Sequence, residues 1–446
     1  MCGLNFTFEN EKIVDEMCQS MIYRGKRYST YSSGGRSFGH VRLPILGLGK
    51  EFDQPFFFKN WIVLFTGEIF NYKQLVPWAE SDVEVLSYYW DLEGIECFKR
   101  FDGFWSVVIF DRESNYTHVI VDFLAKKPLY FHELSGSVSS EIKPLFKLPF
   151  EFSIDKRYIS SVCKWGYRPD ESTPFNEIRK LKAGSYLIIS PSGELVSEYI
   201  YDPLIPKSPN LLKKYIREAI NNRIISDVPI SILLSGGLDS SIIYLYLKEI
   251  THDFTIFHID NDEAKFLDYL EIPGDIRVEE LVLENPNLNE VLYYNECPVD
   301  LGSMLSQYAI ADAVGRKGIN VALSGDGADE LFGGYTRISD YDSQYSDLFD
   351  ELVFYHIPRL DKLMMSKTIE LRCPYLSRPV IEASLSLPYK MRKHKRILKE
   401  LFADVLPKEI VDRKKVPLKS KYFKDGGLEY RYKLVKIFLE EVVNEY

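Results

Sequence analysis

The sequence predicts two domains in tandem: a strand-rich half of α/β and α+β character, then a doubly wound parallel sheet. Three features point there. At 446 residues the chain exceeds what one hydrophobic core ordinarily organises. Its texture changes at Tyr201-Asp-Pro-Leu-Ile-Pro-Lys-Ser-Pro209, where three prolines in nine residues interrupt any helix or ladder. Beyond that stretch, apolar strands alternate with helical spacing. The expected division is a first domain over 1–200, a linker over 201–209 and a second domain over 210–446.

Short apolar runs between turn signals predict strands over 61–66, 104–110, 118–121 and 185–189. Val83, Leu86, Tyr89 and Trp90 recur at helical spacing and predict a helix over 82–90. After the linker, 211–225 and 240–248 read as helices, and 230–234, 254–259 and 320–324 as buried strands.

A net charge of −10 leaves no basic stripe to hold duplex nucleic acid, so none is expected as a partner. The one basic cluster, Lys390 to Lys395, reads as a solvated helix end. Cys2, Cys18, Cys97, Cys163, Cys297 and Cys373 have neither disulfide nor zinc spacing and suit a reducing cytosol. With no basic start before an apolar stretch and no run of about 18 apolar residues, a cytoplasmic protein free of membrane is expected. Oligomeric state stays open, a homodimer among the options.

The densest chemistry lies in Ile230-Ser-Ile-Leu-Leu-Ser235-Gly236-Gly237-Leu238-Asp239-Ser240-Ser241. A buried strand runs into glycines and directly into a helix. Glycines let backbone N–H groups approach an anion, and the helix start adds unpaired donors. Ser235 and Ser240 offer hydroxyls, and Asp239 can hold Mg²⁺ against phosphate oxygens. A second turn, Ser324-Gly325-Asp326-Gly327-Ala328-Asp329-Glu330, again puts Ser-Gly at a strand's end. Its crowded carboxylates repel unless a cation joins them. Two such turns bracket one nucleotide in the crevice of an open sheet.

Ser-Gly-Gly-x-Asp-Ser resembles the signature of the ATP pyrophosphatase superfamily. With Ser324 to Tyr335 and Ile369-Glu-Leu-Arg-Cys-Pro-Tyr-Leu376, the chain resembles the glutamine-hydrolysing asparagine synthetase family nearly end to end. That resemblance implies ATP and Mg²⁺ as cofactors. It implies nucleotide contacts from Leu233, Ser235, Gly236, Gly237, Asp239, Ser240, Ile256, Ser324 and Gly325, and metal ligands Asp239 and Asp329. Lys415 looks like the family lysine that steadies the adenylate.

The first half resembles the family's glutaminase, an N-terminal-nucleophile domain layered α/β/β/α. Cys2 would become the nucleophile after Met removal. Its thiol, with a reference pKa of about 8.5, would stand beside an α-amine of about 7.7–8.0 able to act as base. The resemblance assigns glutamine contacts to Arg42, Leu43, Gly67, Glu68 and Asp82, and the oxyanion to Gly67 with the residue before it.

Three departures stand out. Thr66 replaces the oxyanion-hole asparagine. Tyr23-Arg-Gly-Lys-Arg27 half matches the family's His-Arg-Gly-Pro-Asp, and Ser377 replaces an aspartate. Pro298 to Ser303, where the family contacts its acceptor, departs from the synthetase pattern as well. The expected reaction is asparagine synthesis from aspartate, glutamine and ATP. The alternatives are a relative acting on another carboxylate, or closing an amide as β-lactam synthetases do, and a binding protein with a degenerate site. Cys2 favours intermolecular transfer, and the intact turns disfavour the degenerate reading.

Overall fold

A computed structural model describes residues 2–259, 264–299, 303–335, 348–413 and 427–446, apart from the side chain of Tyr389. Two six-stranded antiparallel sheets form the first half. One runs in the order Ile178–Lys180, Tyr130–His132, Val138–Ser139, Gly3–Thr7, Arg36–Arg42 and Arg27–Ser33. The other runs Leu195–Ile200, Ser185–Ile189, Thr117–Val121, Gly103–Asp111, Trp61–Ile69 and Phe56–Phe58. Leu4, Phe6 and Phe38 of the first meet Ile62, Leu64, Val108 and Phe110 of the second in one dry core. Alternation along a strand makes this work, since every second side chain enters the same layer.

Helices cover the outer faces, giving the layered α/β/β/α arrangement. Glu11–Ser20, capped by the Asn10 side chain, buries Val14, Met17 and Cys18. Asp82–Glu93 starts in a capping box, Ser81 with Glu84, and buries Val83, Val85, Leu86 and Trp90.

The C-terminal sheet is parallel throughout, in the order Arg277–Leu281, Thr255–Ile259, Ile230–Leu233, Val321–Leu323 and Glu370–Arg372. Strand order reverses direction between Ile230–Leu233 and Val321–Leu323. Such a switch point leaves a crevice at the carboxyl ends of the two strands. Both Ser-Gly turns follow those ends. The helix expected over 240–248 is longer, Leu238–Ile250, and starts inside the glycine turn.

The proline-rich stretch is pinned rather than loose. Tyr201 accepts from Trp105 Nε1 at 2.9 Å and donates to the Val121 carbonyl at 3.2 Å. Asp202 takes Arg378 at 2.7 Å. The two halves share an apolar boundary in which Met17, Tyr130, Leu145 and Phe175 meet Leu292, Tyr308 and Phe438. No helix among the described residues is long and apolar enough to cross a membrane.

Candidate functional site

At the first turn, Ser240 Oγ lies 3.3 Å from the Ser235 N–H and 3.2 Å from Ser235 Oγ, and it donates to the Gly237 carbonyl at 3.2 Å. Local hydrogen bonds thus fold the loop back on the helix start. The second turn comes against it so closely that a Cβ on Gly325 would lie 2.9 Å from Asp239 Cβ. Only glycine allows that approach without displacement. Ser324 Oγ donates to Asp326 Oδ2 at 2.7 Å and lies 3.6 Å from Cys373 Sγ. Tyr375 donates to the Asp239 carbonyl at 2.9 Å, tying the third motif to the first. Leu233 is half-buried at its strand end, whereas the Ile256 side chain is wholly core.

Asp239 and Asp329 converge on one cation. The Lys395 ammonium pairs with Asp239 Oδ2 and lies 2.5 Å from Asp329 Oδ1. Lys395 is 6% exposed. The reading of Lys390 to Lys395 as a solvated helix end is therefore corrected: Lys395 points into the crevice. His394 and Lys395 both adopt left-handed backbone, with φ of 56° and 59°. That twist lifts Lys395 off the helical face its neighbours suggest. Nothing in the local pattern signals it. Asp239 Oδ1 is buried without a hydrogen-bond partner, so a further cation has an open ligand atom there. Lys415 lies outside the described residues.

The N-terminal constellation forms where strand Gly3–Thr7 begins beside strand Trp61–Ile69. Cys2 Sγ points to the Leu43 carbonyl at 3.9 Å, and burial pushes its thiol up. The Cys2 carbonyl accepts from Thr66 Oγ1 at 2.9 Å and from Arg24 Nε at 3.1 Å. Arg24 is a residue that the half-matching loop concealed. It is 1% exposed and bridges Glu141 at 2.7 Å to Asp361 of the other half at 2.8 Å.

Gly67 cannot be another residue. Its φ is 150°, and a Cβ would meet the Phe104 carbonyl at 2.1 Å. Arg42 spends its guanidinium on the loop it faces: Gly49 carbonyl at 2.7 Å, Asp53 at 2.8 Å, Leu46 carbonyl at 3.2 Å, and the Gly47 carbonyl. Asp82 accepts from the Ile69 N–H at 3.1 Å, and burial raises it to about 6. Burial also raises Glu68 well above the usual carboxyl range, helped by Glu370 and Asp82.

Between the two constellations lies a cavity lined by Lys127, Leu360, Asp361, Leu371 and Cys373. Asp361 faces Arg24 and Lys127, and Cys373 faces Ser324, so the cavity touches both sites.

A half-buried cysteine at the start of a layered sandwich, joined to a nucleotide-type crevice, defines a two-centre amidotransferase. Residues 1–200 match the family model of a glutamine amidotransferase domain, and 211–353 with 341–436 match that of asparagine synthase. The chain belongs to the asparagine synthase family. It is 25% identical to asparagine synthetase B [glutamine-hydrolyzing] of Escherichia coli (strain K12), over 92% of this chain and 78% of that protein. It is 28% identical to asparagine synthetase [glutamine-hydrolyzing] 1 of Bacillus subtilis (strain 168), over 74% of this chain and 56% of that protein. With asparagine synthetase [glutamine-hydrolyzing] 1 of Arabidopsis thaliana it shares 25% over 92% of this chain and 74% of that protein.

Proposed function

We propose that the chain is a cytosolic glutamine-dependent asparagine synthetase, with residues 1–200 as glutaminase, 201–209 as linker and 210–446 as synthetase. The observation that carries this reading is the meeting of Asp239 and Asp329, from two strand-end turns, on one buried ammonium. Two carboxylates held that close need positive charge between them. The donor set and the open Asp239 Oδ1 suit Mg²⁺, which would neutralise the departing pyrophosphate.

Chemistry at the crevice follows from a poor leaving group. The aspartate side-chain carboxylate attacks the α-phosphorus of ATP, pyrophosphate leaves, and an acyl-adenylate results. Ammonia then attacks the acyl carbon and AMP departs. Ser235, Gly236, Gly237, Ser240, Ser324 and Gly325 present donors to the phosphates, Leu233 flanks the base with Ile256 contributing backbone only, and Lys415 steadies the adenylate. Ammonia comes from glutamine cleaved at Cys2 and passes through the boundary cavity. Arg42 and Leu43 shape the pocket, Asp82 and Glu68 take the α-ammonium group, and Gly67 offers its N–H to the oxyanion. ATP–pyrophosphate exchange with a panel of carboxylic acids tests the reading. Aspartate should stimulate exchange above every other acid, and stimulation by a different acid alone would transfer the reading to another acceptor.

Lys395 carries a prediction of its own. Lys395→Met should lower ATP–pyrophosphate exchange by about 10²-fold, the scale of one lost charged donor at a reacting phosphate. Exchange at the wild-type rate in the folded variant would return Lys395 to a purely structural role.

A further prediction concerns Thr66, whose hydroxyl is committed to the Cys2 carbonyl. The tetrahedral intermediate of amide hydrolysis therefore has Gly67 as its main donor. Losing one oxyanion donor costs about 10²–10³ in turnover. Thr66→Asn should raise glutamine turnover roughly tenfold, the gain being tempered by loss of the Cys2 contact. Comparing glutaminase with ammonium-dependent synthesis checks it. Unchanged or lower turnover in a folded variant would mean that a second donor already serves the site.

A further inference from the structure

Glu370 and Arg372 sit on the last strand of the parallel sheet, yet they face Glu68 of the N-terminal sandwich. Arg372 and Glu370 are wholly buried, and Glu68 is 5% exposed. Arg372 is committed on three sides: Nε donates to Glu370 Oε1 at 2.5 Å, and Nη1 to the carbonyls of Arg223 at 2.8 Å and Ile225 at 2.7 Å. Its Nη2 stays 4.0 Å from Glu68 Oε1. Among the described residues, Glu68 Oε2 and Glu370 Oε2 have no hydrogen-bond partner. Buried carboxylate oxygens left open are costly unless a proton or cation meets them.

Asp82 adds a third carboxylate, acting on Glu68 while itself feeling Glu370 and Arg42. Among the described residues, the other charged and titratable groups facing the cluster are Arg372, Lys127 and Tyr72. We propose that Glu68, Asp82 and Glu370 form one carboxylate cluster, assembled across the domain boundary, that holds a proton when empty and exchanges it for the α-ammonium group of glutamine. This rests on the glutaminase reading and adds to it a residue from the synthetase half. The carboxyl O–H bond breaks, the proton passes to solvent, and the ammonium takes its place by ion pairing. No bond to glutamine forms, and nothing is oxidised.

Glu68 is the proton's holder above about pH 6, where Asp82, raised to about 6 by burial, has ionised. Burial, Glu370 and Asp82 all raise Glu68, whereas Glu370, although buried, is kept below the usual carboxylate range by Arg372. As pH falls through Glu68's raised pKa, glutamine must displace a proton, and its affinity drops by up to about tenfold per pH unit. Removing the charge on Glu370 lets Glu68 ionise at lower pH. It also removes attraction for the ammonium where Glu68 is already ionised.

The test is calorimetry of glutamine binding to full-length Cys2→Ala protein, from about pH 5 to about pH 9. Buffers of different ionisation enthalpy report the proton. About one proton should be released per glutamine below the affinity limb. Glu370→Gln should move that limb to lower pH and weaken binding above it, so that the two curves cross. Glu370→Asp, which keeps the charge, should leave the limb in place. Absence of proton release overturns the proposal. So does an unmoved limb, a common loss of affinity at every pH in Glu370→Gln, or an equal shift in Glu370→Asp. If the unmodified protein neither binds nor hydrolyses glutamine, the glutaminase reading falls with it.

Discussion

Asp239→Asn and Asp329→Asn should each reduce ATP–pyrophosphate exchange by about 10²–10³-fold while glutamine hydrolysis continues. Both carboxylates contact the Lys395 ammonium. Asparagine keeps their shape and removes the charge. Each variant leaves the positive charge gathered there one carboxylate short, and a divalent ion would lose one of its two anionic ligands. Asp239 lies in the first turn of helix Leu238–Ile250, so its placement comes from the turn and survives the substitution. The glutaminase constellation is built on other strands and keeps its geometry. Exchange at the wild-type rate in both variants would remove these carboxylates from the metal assignment. Loss of glutaminase along with exchange would instead point to a folding defect, which circular dichroism would register.

The second large effect is at Cys2. Cys2→Ala should abolish glutamine-dependent synthesis and preserve synthesis from ammonium salt, because the thiol would serve only to release ammonia from the glutamine amide and would take no part in adenylation. The substitution removes one sulfur that contacts the Leu43 carbonyl weakly, at 3.9 Å. The side-chain bonds from Thr66 and Arg24 to the Cys2 carbonyl remain available. Arg24 in turn reaches Asp361, which lines the boundary cavity, so that wall of the cavity stays held. A folded Cys2→Ala protein that fails with ammonium as well would contradict the separation of the two centres.

The parallel sheet was legible from the chain because its strands are short apolar runs and its phosphate turn is local chemistry. Ile230 to Ser241 contains strand, glycine turn and helix start in twelve consecutive residues, and each constrains the next. The strands Gly3–Thr7, Arg27–Ser33 and Arg36–Arg42 carry no comparable apolar signal. Arg36–Arg42 is buried throughout despite two arginines, a serine and a histidine, and Arg27–Ser33 is mostly half-buried. Polar side chains are seldom buried unless paired, and a pairing partner is invisible to local periodicity. Strand Glu370–Arg372 is the extreme case: three residues, two of them charged, all sealed inside.

By itself the sequence determined the change of texture between the halves, the two Ser-Gly turns and the candidate nucleophile, since each depends on neighbours along the chain. Tertiary structure alone decided which distant charges meet. Lys395 reaches Asp239 across 156 positions, and Arg24 reaches Asp361 across 337. Arg372 approaches Glu68 across the domain boundary. Such pairs exist only after folding, because excluding water from both partners is what makes each charge require the other.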